Sequence, residues 1–219
     1  MKQNASLKRN PVLFITQAAV IAALYVILSM LSETLGLCSG VIQCRISEAL
    51  TILPAFFASA IPGLYVGCLL TNLIASATAW DIVFGPVATL IGALGTYLIG
   101  RAVRAKALGR SDKEAAGKVS VLRVVILTIL FALPPIIANA VIIPPILKFG
   151  LALKDAFWFI VVTVTAGEII ACGIFGGLLL AALLRNAYTR TLLTGNGVAS
   201  VETTVADASV AAEIAATQD

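Results

Sequence analysis

Three carboxylates, Glu48, Asp81 and Glu168, stand inside or at the edge of long apolar runs. Two amides, Asn72 and Asn139, and one indole, Trp80, accompany them, and Arg45 precedes Glu48 by three residues in "RISEALTILP". On a helix that spacing puts Arg45 and Glu48 on one face. Such a set suits recognition of a flat, polar solute. A carboxylate accepts two N–H donors side by side, an amide both donates and accepts, and an indole stacks on a heterocycle. It does not suit the usual acid–base catalysis. The 219-residue chain has no His, which removes imidazole bases, imidazole metal ligands and the common catalytic triads together. The residues therefore call for no catalytic role, no metal and no cofactor.

Two further classes of chemistry are excluded. The four cysteines, Cys38, Cys44, Cys68 and Cys172, include no C-x-x-C pair of the kind that binds zinc. Cys38 and Cys44 share one loop and are read either as a disulfide or as two free thiols. Cys68 and Cys172 read as small apolar fillers. No G-x-x-x-x-G-K-[S/T] loop occurs, so ATP binding through a Walker motif is excluded, and any uphill transport must draw on an ion gradient or another subunit.

The elements that position these residues are membrane helices. Sixty per cent of the chain is hydrophobic and 12% charged, against about 45–50% and about 25% in ordinary globular proteins. The bilayer is the solvent such a composition needs. Long apolar runs cover Val12–Leu31, Ala49–Ala79, Ile82–Gly100, Val124–Leu147 and Ala156–Leu184. A spanning helix takes about 20 residues. The second run is too long for one and carries Ile61-Pro62-Gly63, a turn signal, so it is expected to divide into helices over about Glu48–Ala60 and Gly63–Ala79. The fold class is thus an all-α membrane protein, a bundle of six transmembrane helices. Its parts are a cytoplasmic N-terminus (1–11), the membrane domain (12–190) and an acidic, small-residue tail (191–219) that reads as disordered.

With both termini inside, twelve of the fifteen Lys and Arg residues fall on the cytoplasmic side, leaving Arg45, Lys148 and Lys154 outside. The positive-inside rule accepts only this arrangement in the plasma membrane. The first helix is too long for a signal-peptide core and is expected to be retained. In this topology Arg45, Glu48, Asn72, Trp80, Asp81 and Asn139 lie in the outer half, and Glu168 lies near the middle of the last helix. The inner half is almost wholly apolar, Gln17 excepted. A channel would be lined along its whole length; a pocket open to the outside fits solute capture better.

Blander readings stand beside these. Arg45 and Glu48 also read as a solvated ion pair, Asp81 as a helix N-cap, and Asn72 and Asn139 as interhelical hydrogen-bond glue. Trp158, and equally Trp80, fit an aromatic belt. Glu168 resists them most, because a mid-membrane carboxylate must be paired, protonated or bound. In the first helix Ala18 and Ala22, and Ala19 and Ala23, are four apart, a strip another helix can approach closely. Gly63 and Gly67, and Gly173 and Gly177, repeat the spacing.

The segments "VIQCRISEALTILPAFF", "IPGLYVGCLLTNLI", "WDIVFGPVATLIGAL", "LPPIIANAVI" and "AGEIIACGIFG" resemble the queuosine-precursor transporter family, whose members are similar to substrate-capture (S) subunits of energy-coupling-factor (ECF) transporters. The resemblance covers about Val12 to Arg185. It implies capture of a 7-deazaguanine base, the aminomethyl or cyano precursor of queuosine, at Glu48, Arg45, Asn72, Trp80, Asp81, Asn139 and Glu168. It implies docking through Ala18, Ala19, Ala22 and Ala23 on a membrane coupling subunit served by two cytoplasmic ATPases. An S subunit for a flavin or folate is the alternative, and an intramembrane enzyme or small channel a more distant one.

The cation asymmetry makes the topology testable. In a background lacking the native outer cysteines, a cysteine at Gly109 is expected to resist membrane-impermeant thiol reagents in intact cells, and one at Lys154 to react. Reversed labelling would invert the bundle.

Overall fold

The computed structural model describes residues 11–37, 44–75, 79–107, 120–150, 156–186 and 189. Cys38, on which the choice between a Cys38–Cys44 disulfide and two free thiols turns, and the tail from residue 191 lie outside the described residues. Among the described residues every element is helical: α1 (Pro11–Thr34), a 3-10 helix (Ile46–Ala55), α2 (Ala60–Ile74), α3 (Ala79–Ala107), α4 (Val121–Pro145) and α5 (Phe157–Glu168). A π-helical segment, Ile169–Phe175, joins α5 to α6 (Gly176–Arg185), and another, Ile146–Gly150, prolongs α4.

Four of these stretches, Pro11–Thr34, Ala79–Ala105, Val121–Phe149 and Phe157–Arg185, are long and apolar enough to cross a membrane. Their large apolar side chains point outward: Val12, Ile15, Val20, Ile27 and Leu31 on α1 alone are exposed. That surface is unstable in water and stable in lipid.

The second apolar run departs from expectation. Its first half is a 3-10 helix rather than a spanning α-helix, and its second half stops at Ile74. The break lies near Phe57–Ser59, ahead of Pro62. Pro62 sits in the first turn of α2, where its missing N–H would have had no helical partner anyway. At about 2.0 Å per residue the ten residues of the 3-10 helix advance about 20 Å, further than an α-helix of that length.

This narrow helix is the axis of the bundle. Every residue from Ser47 to Ala55 is buried, and α1, α2, α3, α4, the π segment and α6 all touch it. With three residues per turn its side chains form three rows. Leu50 and Leu53 join Ile21, Tyr25 and Leu64 in one apolar cluster with α1 and α2. Ile52 and Ala55 join Leu127, Phe131, Leu180 and Leu184 in a second, with α4 and α6. Glu48, Thr51 and Pro54 form the third row, and Cys172 of the π segment lies 3.5 Å from the Thr51 hydroxyl. At its lower end Arg104 of α3 donates to the Ala55 carbonyl, and Ser59 donates to Gln17 at 2.8 Å.

Two close contacts let the outer helices reach this axis. On α2, a Cβ at Gly63 would meet the Ala18 carbonyl at 2.7 Å, and one at Gly67 would meet Tyr25 Cβ at 2.7 Å. In α4, Pro135 has no N–H for the Phe131 carbonyl one turn back. The Thr96 hydroxyl of α3 supplies that donor at 2.8 Å.

Gly67→Val therefore forces α1 and α2 apart. Its unfolding midpoint in detergent is expected to fall by roughly 2–10 °C, the cost of about 1–3 kcal/mol of overpacking. At Gly173 the nearest atom to a new Cβ is Ile169 Cγ2 at 3.9 Å, and Gly173→Ala is expected to shift the midpoint by less than about 2 °C. Equal effects would refute the close-contact account.

Candidate functional site

The C-terminal half of α1 carries Tyr25, Ser29 and Ser32 on one face, all at most 1% exposed. Their spacing of four and three is the helical repeat. They bind the start of the 3-10 helix. Ser32 Oγ accepts from the Ile46 N–H at 2.9 Å, and Ser29 Oγ donates to Ser47 Oγ at 2.7 Å. Tyr25 donates its phenolic proton to Glu48 Oε1. This bond decides where the carboxylate points.

Glu48 is 4% exposed. Its second oxygen, Oε2, is buried and has no hydrogen-bond partner. Across from it Glu168, the last residue of α5, and Cys172 of the π segment that follows, four residues apart, come to the same spot. Cys172 Sγ lies 3.4 Å from Glu168 Oε2 and 3.5 Å from the Glu48 carbonyl. Ligand atoms of Glu48, Glu168 and Cys172 fall within 4.8 Å of one another. π segments recur at functional sites because the extra residue turns side chains away from helical register. Asn139 of α4 completes the group. It is 5% exposed and sets its side-chain amide against the Glu168 carboxyl.

A second node adjoins the first. Asn72, 1% exposed, donates from Nδ2 to the Asp81 carbonyl at 2.8 Å and accepts from Arg45 at 3.3 Å. Its amide thus ties α2, α3 and the approach to the 3-10 helix together. Arg45 is near enough to attract both Glu48 and Glu168, but the hydrogen bond that orients Glu48 comes from Tyr25. Asp81 lies within the first turn of α3, which begins at Ala79, so it favours the helix dipole from inside the turn and is not an N-cap. Trp80 is half exposed and stacks on Phe84 with ring centroids 5.8 Å apart.

Of the seven residues expected at a solute site, Glu48, Glu168 and Asn139 converge, Arg45, Asn72 and Asp81 frame them, and Trp80 faces outward on α3. The alanine strip divides. Ala18 and Ala22 pack inward on Gly63 and Gly67 of α2, while Ala19 and Ala23 remain exposed. The sequence reading missed Tyr25 and Cys172. Tyr25, Ser29 and Ser32 recurring at helical spacing was the signal for the first, and Cys172 lying four residues after Glu168 was the signal for the second.

Comparison with known proteins places the chain. The sequence pattern described as QueT transporter matches residues 15–185. The chain belongs to the QueT transporter family. The family and the four apolar spans make it a membrane protein. A relative from Lactococcus lactis subsp. cremoris (strain MG1363), the queuosine precursor transporter QueT, is 34% identical over 96 residues. That match takes in 43% of this chain and 56% of the relative, so the chain spans little more than half the length of the curated relative it matches. No solved structure matches.

For this family member the Tyr25–Glu48 bond is directly testable. Tyr25→Phe strips a donor from a carboxylate that water cannot reach, and is expected to cost about 1–3 kcal/mol of stability. Adding Glu48→Gln removes the charge that made the loss expensive. A double-mutant cycle by denaturation in detergent is expected to show coupling above about 1 kcal/mol; additive losses would mean that the bond orients nothing.

Proposed function

We propose that this chain captures a queuosine precursor, a 7-deazaguanine base, from outside the cell, as the substrate-binding subunit of an ECF-type importer. One observation supports this reading most: a buried acceptor, Glu48 Oε2, stands without a partner beside Glu168 and Asn139 in a member of the QueT transporter family. Unpaired buried polar groups cost free energy until something pairs with them. A solute with N–H donors and a carbonyl oxygen on one flat ring does so. Trp80 and Phe84, stacked at the start of α3, offer a surface for such a ring on its way in. The relative's name as a queuosine precursor transporter supports the choice of solute.

Energy coupling is assigned to partners. The chain carries no Walker loop, so in this reading ATP is hydrolysed by two cytoplasmic ATPases acting through a membrane coupling subunit. Ala19 and Ala23 are the strip that docks there, because Ala18 and Ala22 are engaged with α2. Both termini are cytoplasmic and the polar cluster opens outward.

The test is calorimetry on the full chain in nanodiscs with 7-aminomethyl-7-deazaguanine, together with uptake in cells carrying the complete transporter. Glu168→Gln replaces an acceptor oxygen by a donor nitrogen of the same size. It is expected to lower affinity about 30- to 1000-fold, the value of a charged hydrogen bond and a stranded donor. Ala23→Trp is expected to leave binding intact and abolish uptake. Equal affinity for wild type and Glu168→Gln would remove Glu168 from the site, and full uptake by Ala23→Trp would remove α1 from the docking surface.

A further inference from the structure

Asn72 is 1% exposed, and both polar atoms of its amide are in use. Which way a buried amide faces is decided by its neighbours, and here two neighbours of opposite kind agree. The Asp81 carbonyl, in the first turn of α3, can only accept, and Asn72 Nδ2 donates to it at 2.8 Å. The Arg45 guanidinium can only donate, and it gives a hydrogen bond to Asn72 Oδ1 at 3.3 Å. Cys68 Sγ, one turn back on α2, lies 3.9 Å from the same Nδ2. Gly85 of α3 makes the room, because a Cβ there would stand 2.6 Å from Asn72 Nδ2. The amide is thus clamped at its nitrogen by α3 and turns its oxygen to Arg45.

Arg45 in turn serves the neighbouring cluster. Its charge acts on both Glu48 and Glu168, whose acceptor atoms and Cys172 Sγ lie within 4.8 Å of one another. Two acids so close disfavour each other's ionisation, and a guanidinium near both offsets that, whichever of them carries the charge. Its placement matters, because Arg is a planar fork on a long stem with many rotamers to lose. We infer that Asn72 is a positioning residue of this site, holding Arg45 beside the two carboxyl groups through Oδ1, and that its own amide makes no contact with solute. This rests on the reading of the chain as a capture subunit, and it removes Asn72 from the solute ligands that the family resemblance implied. Both ends of the amide are engaged and the side chain is closed to the surface, so a solute could bind it only by breaking a bond already in place. Asn72 serves capture through the cation it holds, and Gly85 serves it by leaving space for the amide.

The experiment is calorimetry with 7-aminomethyl-7-deazaguanine on the full chain in nanodiscs, run as a cycle of Asn72→Ala and Arg45→Met. Asn72→Ala is expected to weaken binding at least about tenfold when Arg45 is present and less than about threefold when it is already methionine. A direct solute contact by Asn72, or a general loss of packing, would give the same loss in both backgrounds and overturn the inference. A second measurement reads Arg45 without solute and stands even where Arg45→Met does not fold. In protein grown with nitrogen-labelled arginine, a held guanidinium shows separate Nη signals by NMR, the Arg45 pair being the one missing from Arg45→Lys. Asn72→Ala is expected to merge that pair. Gly85→Ala, which keeps every polar group and displaces only the amide, is expected to merge it too and to weaken binding at least about threefold. Arg45 signals unchanged by both variants would overturn the inference and leave the capture reading standing, as would Asn72→Ala binding within about threefold of wild type. Absence of binding by wild type would overturn the capture reading and, with it, the part of Asn72 in capture.

Discussion

A carboxylate held away from water in an apolar bundle is the constraint around which this protein is built. An ionised group costs several kcal/mol to move into such an interior, and only hydrogen bonds or an opposite charge make it tolerable. Glu48 receives that support from Tyr25 on one side and shares space with Glu168 and Cys172 on the other. The neighbouring irregularities serve this placement. The 3-10 helix carries Glu48 into the bundle, three hydroxyl-bearing residues of α1 fasten that helix at its start, and the junction of α5 with the π segment sets Glu168 and Cys172 beside it.

Helix α1 serves two audiences at once. Its inward face interlocks with α2 through Ala18 and Ala22 on Gly63 and Gly67, then continues one turn further to Tyr25, which grips Glu48. Its outward face shows Ala19 and Ala23 among larger apolar residues. The helix proposed to meet the coupling subunit is therefore also the helix that aims the carboxylate, and about one helical turn separates the two tasks. A tilt of α1 on docking would reach Glu48 directly through the tyrosine.

Much of this was legible in the sequence, and what was hidden was hidden for physical reasons. The apolar runs gave six helical segments because membrane length and hydropathy depend only on composition. The acids and amides could be nominated because polar groups in such runs are expensive. The short Ile46–Ala55 helix could not be recognised as 3-10, because "ISEALTILPA" is buried on nearly every side, and ten residues with so few polar ones carry no stripe that distinguishes three residues per turn from 3.6. The π segment was equally silent, since it adds no residue type of its own. Proline misled: Pro62 marks a helix start, and the Phe131 carbonyl that Pro135 cannot serve is answered by Thr96 from another helix. Arg45 could be set beside Glu48 by spacing alone, whereas Tyr25 could be found only once α1 lay against the 3-10 helix.

The 3-10 helix also sets an arithmetic for change in this stretch of chain. Its three rows, facing α1 and α2, α4 and α6, and the π segment, repeat every third residue rather than every seventh. Inserting or deleting one residue between Arg45 and Ala55 turns everything beyond it by about 120°, presenting each row to the wrong neighbour. Three residues restore the facing but displace the later residues by about 6 Å along the axis. Homologous chains should therefore keep this segment at constant length while substituting freely within a row: a reading frame of triplets, written in side chains.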